Sequence, residues 1–171
     1  LFSILAFLYI GNQAFCQTTN IEMTEDDLKQ FEKEAKERVL ELQDYLFHLL
    51  NPEMSFSQKS NVVDLALKLF IDKNKTVQVT TTRSSDVNLF KIEQYLMRLM
   101  KLRYAKVDIG WYDLHLSKGF RRGADGNYYA IAHVLQKFKG FRDNQVVYSD
   151  QQEKKIEIVT PPFLPFLSHP Y

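Results

Sequence analysis

Asp113, His115 and His133 are the residues whose types and spacing could do chemistry in this chain. Asp113 and His115 stand two apart in the run Val107-Asp-Ile-Gly-Trp-Tyr-Asp-Leu-His115. Alternation along a strand would put them on one face with Val107, Ile109 and Trp111. A buried aspartate with a raised pKa could take a proton from beside a carbonyl while a histidine polarises the oxygen, the chemistry of a small isomerase or cyclase. The same two side chains would be ordinary solvated groups if they lie past the rim of the apolar surface, near the next turn, and the spacing favours that reading. No catalytic residue is therefore assigned beyond the candidates Asp113 and His115. Two histidines with Asp113 invite a metal reading. In the simplest register His133 lies across from Tyr112, so His115 and His133 have opposite parity and should point to different faces. No metal and no cofactor are expected.

These residues belong to the stretch from Tyr104 to Val159, which reads as three long strands joined by two turns. The turn from Gly119 to Gly126 carries three glycines and an Asp-Gly pair, a hairpin signal with a slightly long loop. If Lys118 pairs near Asn127, Trp111 lies opposite Val134 and Asp113 opposite Ala132. Trp111, Tyr128, Val134, Gln136 and Phe138 then share the face turned to the helices and are the expected lining of a ligand pocket, with a small molecule or glycan as occupant. The other face carries Asp108, Gly110, Tyr112, Leu114 and Leu116 from the first strand and Tyr129, Ile131 and Leu135 from the second. Tyr112, Leu114, Tyr129, Ile131 and Leu135 form a second apolar surface that needs cover, most simply a sheet-to-sheet homodimer. The long first helix or the C-terminal Phe163, Phe166 and Tyr171 are the alternative cover. Ser149 to Gln152 reads as a bulge or bend, with the last strand resuming at Lys155.

Helices precede the strands. The first should start at Thr24, with Asp27 completing a weak capping box and acidic residues in the first turn. Leu28, Phe31, Ala35, Val39, Leu42, Leu46 and Leu49 recur at steps of three and four, and Asn51-Pro52 ends the pattern. A second helix starts at Ser57 or Ser60. A short strand spans Thr76 to Thr82, a polar loop spans Arg83 to Asp86, and a third helix runs roughly from Asn88 to Leu102 on the spacing of Leu89, Ile92, Leu96, Leu99 and Leu102.

The N-terminal run Leu1 to Ile10 is apolar except for Ser3, the length of a signal-peptide core and too short to span a bilayer. Ala14-Phe15-Cys16 fits a cleavage site that would leave Gln17 first. Acylation of Cys16 is the alternative, although Phe15 is larger than a lipidation site prefers. The organisation expected is thus a signal peptide at 1–16, a linker at 17–23, one domain at 24–160 and a proline-rich tail at 161–171. The protein would be exported, to the periplasm or beyond, or lipid-anchored at Cys16. The single cysteine excludes an intrachain disulfide, and a net charge of +1 gives no global field for nucleic acid. No phosphate-binding glycine loop, Gly-x-Ser-x-Gly elbow or His-Glu-x-x-His motif is present.

The order helix, helix, short strand, helix, then a meander of long strands resembles the nuclear transport factor 2-like superfamily. More narrowly, YLMRLMKLRYAKVDIGWYD, DGNYYAIAHVLQKFKGFRDNQVVYSD and KKIEIV resemble exported proteins of Gram-negative bacteria of that type, a group without an assigned activity. The likeness covers about residues 24 to 160 and rests on Trp111, Gly126, Tyr129, Gln136, Phe138, Gly140, Tyr148 and Asp150, none of which is a catalytic signature. It implies a cone-shaped, cystatin-like α+β fold: N-terminal helices packed on a curved, mainly antiparallel sheet, often dimeric. The expected function is an exported, non-enzymatic binding or interaction domain. An Asp113/His115 isomerase-like enzyme and an envelope-associated structural module are the alternatives.

Overall fold

The structure, a computed structural model, describes residues 7–9, 24–81 and 84–161, with side chains for 24–78 and 88–161. The cleavage site, the linker and the tail beyond residue 161 lie outside the described residues, as do Phe163, Phe166 and Tyr171. The chain is α+β, with helices followed by a three-stranded antiparallel sheet that is not strongly curled.

Helix α1 spans Glu25–Leu50 and α2 spans Phe56–Leu67. Both start on full capping boxes. Thr24 Oγ1 accepts from the Asp27 backbone while the Asp27 carboxylate accepts from the Thr24 N–H, and Ser55 and Gln58 repeat the exchange. The second helix therefore begins just before Ser57, because Ser55 and Gln58 can satisfy each other's orphan donors. The stripe Ala35, Val39, Leu42, Leu46 and Leu49 is wholly buried, as its spacing requires.

The next segment departs from expectation. Strand β2, Thr76–Thr81, pairs antiparallel with β3, Ser84–Lys91, and α3 is confined to Ile92–Met100. Ser84 to Asp86, expected as loop, and Asn88 to Lys91, expected as the first helical turn, are strand. The pairing sets Val77 opposite Phe90, and ladder bonds to β2 outweigh the helical spacing of Leu89, which is left 61% exposed.

Strands β4 (Lys106–Arg122), β5 (Tyr128–Arg142) and β6 (Gln145–Thr160) form the meander, with β5 in the centre. Strand β1, Phe7–Tyr9, lies parallel to β6 with Phe7 opposite Glu157. It sits within the expected signal segment, so cleavage after Cys16 would remove it and leave β6 as the sheet edge. The first turn is shorter than expected: β4 runs on to Arg122, and the reversal occupies Gly123 to Asn127, with Gly126 at φ +85°. The second turn is a two-residue one, Asp143-Asn144 at φ 50° and 60°, the left-handed pair that matches the twist of a hairpin. Strand β6 is continuous through Ser149–Gln152, and its irregularity falls instead beside Gly140/Phe141 of β5.

The core lies between the helices and one sheet face. Alternate β5 residues from Tyr128 through Ala130, Ala132, Val134 and Gln136 to Phe138 are buried. On β6 Ile156 and Ile158 join them. Phe31 of α1 meets Phe120 of β4 at 6.1 Å between ring centroids. Gln43 of α1 accepts from the Trp111 backbone N–H at 3.2 Å, covering a donor on the outer edge of the sheet.

Candidate functional site

The register of β4 decides where the candidate residues go. Trp111 pairs with Gln136, not Val134, and Tyr112 with Leu135. Then comes a bulge: Asp113 adopts φ 54° and His115 pairs directly with His133. One inserted residue reverses side-chain parity for the rest of the strand. Three expectations are corrected by it. Asp113 and His115 do not share a face with Trp111; both are exposed. Leu114 and Leu116 leave the face of Tyr112 and pack on the helix-side core, Leu116 opposite Ala132. His115 and His133 lie on the same face, their rings stacked at 5.3 Å and 13°. His115 Nδ1 bonds the backbone carbonyl of Asp113 at 2.8 Å, so the pair is tied through main chain rather than as an acid–base couple. Both side chains stand open to solvent among the described residues, whereas the isomerase reading needs them inside a closed apolar cavity.

The helix-facing side holds a polar row that periodicity reached only in part. Trp111, Gln136 and Gln152 lie side by side across β4, β5 and β6. The indole Nε1–H donates to Gln136 Oε1 at 3.1 Å. One step along β6, Lys154 is 0% exposed and its Nζ donates to Gln152 Oε1 at 2.8 Å. Burial pulls the Lys154 pKa down to about 8, and the Asp150 carboxylate acts against that shift. Asp150, Gln152 and Lys154 follow at steps of two, so β6 presents a polar column to the core. Sequence reasoning missed Lys154, although the inward parity of Ile156 and Ile158 extends directly to it.

Trp111, Tyr128, Val134, Gln136 and Phe138 are all buried. Of these only Phe138 lines the groove of about 310 Å³ that opens along β5 and β6, together with Lys137, Lys139, Ser149, Asp150 and Gln151. A lysine amine, once deprotonated, can attack a carbonyl, and a lowered pKa such as that of Lys154 eases that deprotonation. In this conformation that amine is sealed in the core, so the row acts as a buried hydrogen-bonded element between strands.

The opposite face is open. Tyr112 is 50% and Ile131 38% exposed, with Tyr129 and Leu135 half-buried beside them. Lys137 Nζ sits 4.8 Å over the Tyr112 ring. Tyr129 donates its hydroxyl to Asp125 at 2.5 Å, which holds the Asp125 carboxyl below its usual range and ties the ring to the first turn. No described helix packs on this face.

No protein-family model, no curated protein and no solved structure matches the chain.

Proposed function

We propose that the chain is a non-catalytic interaction domain that pairs with a second copy of itself through the open sheet face. The observation that carries this is the burial alternation of β5. Its even-numbered residues from Tyr128 to Phe138 bury against the helices, whereas Ile131 and, on the same face, Tyr112 stay open to solvent. The patch is suited to self-pairing because it carries both signs of charge: Lys137 and Lys155 stand among Glu153 and Glu157 on that face. A two-fold contact presents one surface to itself and so must contain its own complements. Tyr112, Tyr129, Ile131 and Leu135 are its apolar centre. Leu114, turned to the core, is not part of it.

The element order supports a place in the nuclear transport factor 2-like superfamily, and the apolar N-terminal segment supports export. The groove beside Phe138 and Asp150 is the place proposed for a small ligand or glycan. Among the described residues no helix is long and apolar enough to cross a membrane.

Sedimentation velocity on the processed chain and its Tyr112→Lys and Ile131→Lys variants tests the pairing. A dimer that becomes a monomer in both variants, with circular dichroism unchanged, is expected. A parent chain that sediments as a monomer at every concentration ends the proposal. Intact mass of the exported protein tests processing: a chain starting at Gln17 is expected, and added acyl mass on Cys16 would place it on a membrane instead.

A further inference from the structure

We propose that His115 and His133 form a two-histidine binding site for a divalent transition metal of the zinc, nickel or copper type. The β4 bulge makes the two residues direct cross-strand neighbours, with ring centroids 5.3 Å apart and planes inclined by only 13°. The hydrogen bonds then fix the tautomers. His115 Nδ1 lies 2.8 Å from the Asp113 carbonyl, which can only accept, so that nitrogen carries the proton. His133 Nδ1 donates to the Glu153 carboxylate in the same way. With Nδ1 as the donor, the lone pair available to a metal ion is the one on Nε2, on the far side of each ring from its anchoring bond.

Histidine metal ligands are characteristically held in this manner, one nitrogen donating to a carbonyl or carboxylate and the other free for the ion. Bringing both Nε2 atoms to about 2.0–2.1 Å from one ion needs rotation about χ2, a soft torsion in histidine. His115 is exposed in the single chain, which leaves room for that rotation, and because the pair lies on the face proposed to meet a second copy, the remaining positions fall to water or to groups of that copy. The charges facing the pair are Glu153, which favours a cation, Lys155 opposite His133 on β6, which opposes one, and the exposed Asp113 on β4. With two protein ligands the site is an open one, suited to a loosely held or exchanging ion, or to an ion completed by groups from outside the chain.

The test is calorimetric titration of the processed chain with zinc, nickel and copper chlorides in separate runs. One ion per chain is expected for at least one of the three metals. His115→Ala and His133→Ala should each weaken binding at least tenfold. Glu153→Gln, which keeps the shape but removes the charged anchor, should weaken it by about 10-fold, while His48→Ala should change nothing. Circular dichroism of the metal-free variants separates loss of a ligand from loss of fold. Absence of binding for all three metals, or binding that survives either ring-histidine substitution in a folded chain, would overturn the assignment.

Discussion

Trp111 Nε1 and Gln136 Oε1 meet at 3.1 Å across the β4–β5 ladder, both residues buried. The bond gives the sheet's helix-facing side a polar lock, because this register sets the indole donor directly beside the Gln136 acceptor. Removing one partner strands the other in the core. Trp111→Phe and Gln136→Leu should each destabilise the fold by about 1–3 kcal/mol. The double variant should cost less than the two singles together, since no orphaned group then remains. Urea denaturation of the four chains measures this, and strict additivity would mean the bond contributes nothing.

Gly140 and Tyr104 form a second such relationship, one of space. A Cβ at Gly140 would fall 2.5 Å from Tyr104 Cε1, so the ring lies directly on the glycine backbone. The same ring meets Phe138 edge-on at 5.9 Å, and Phe138 meets Tyr148 at 5.9 Å. Gly140→Ala should therefore push the aromatic chain apart and cost about 1–3 kcal/mol. In a Tyr104→Ala background the same substitution should cost clearly less. Equal costs in the two backgrounds would show that the ring is not what the methyl meets.

Much of this fold is readable in the sequence, and the exceptions have physical causes. The α1 stripe and the alternation of β5 were legible because each element buries one face along its whole length, so hydrophobicity tracks geometry residue by residue. Strand β4 does not behave that way. Past Tyr112 its residues Asp113, His115, Ser117 and Lys118 are all polar, and no break in an apolar pattern announces the bulge. Hence simple alternation puts Trp111 and Gln136 on the helix-facing side where they lie, and puts Asp113, His115, Leu114 and Leu116 on faces that the bulge reverses. Lys154 was hidden for a related reason: Ser149-Asp-Gln-Gln152 has turn-like composition, yet pairing with β5 carries it through as strand. The segment from Ser84 to Lys91 fell to competition, its helical spacing overridden by β2.

The bulge itself can be tested at Asp113. Its φ of 54° lies in the left-handed region, which an aspartate tolerates at some cost and a β-branched residue does not. Asp113→Gly should leave stability unchanged or raise it by up to about 1 kcal/mol, whereas Asp113→Val should lower it by about 1–3 kcal/mol. The valine variant has a second consequence. If it expels the bulge, parity beyond Tyr112 is reset and the His115–His133 contact is lost, which cross-ring nuclear Overhauser effects would report. A valine as stable as the wild type with the histidine contact intact would refute the left-handed backbone at this position.

Lys154 yields the sharpest pH dependence. Burial lowers its pKa from 10.5 to about 8 in the folded chain, so between those values the unfolded chain binds the proton more tightly than the folded one. Stability conferred by this group is thus fully present above pH 10.5 and is lost as pH falls to about 8. At 1.36 kcal/mol per pKa unit the change is on the order of 3 kcal/mol. Burial also raises the Tyr95 pKa, so the whole protein loses stability on that account once unfolded tyrosines ionise above pH 10. Comparison with Lys154→Met removes that contribution, because Tyr95 is common to both chains. The wild type should gain on the methionine variant by a few kcal/mol as pH rises through the window, with the variant the more stable of the two near neutrality. Parallel stability–pH curves would mean that the amine is solvated, and that the polar column on β6 does not enter the core.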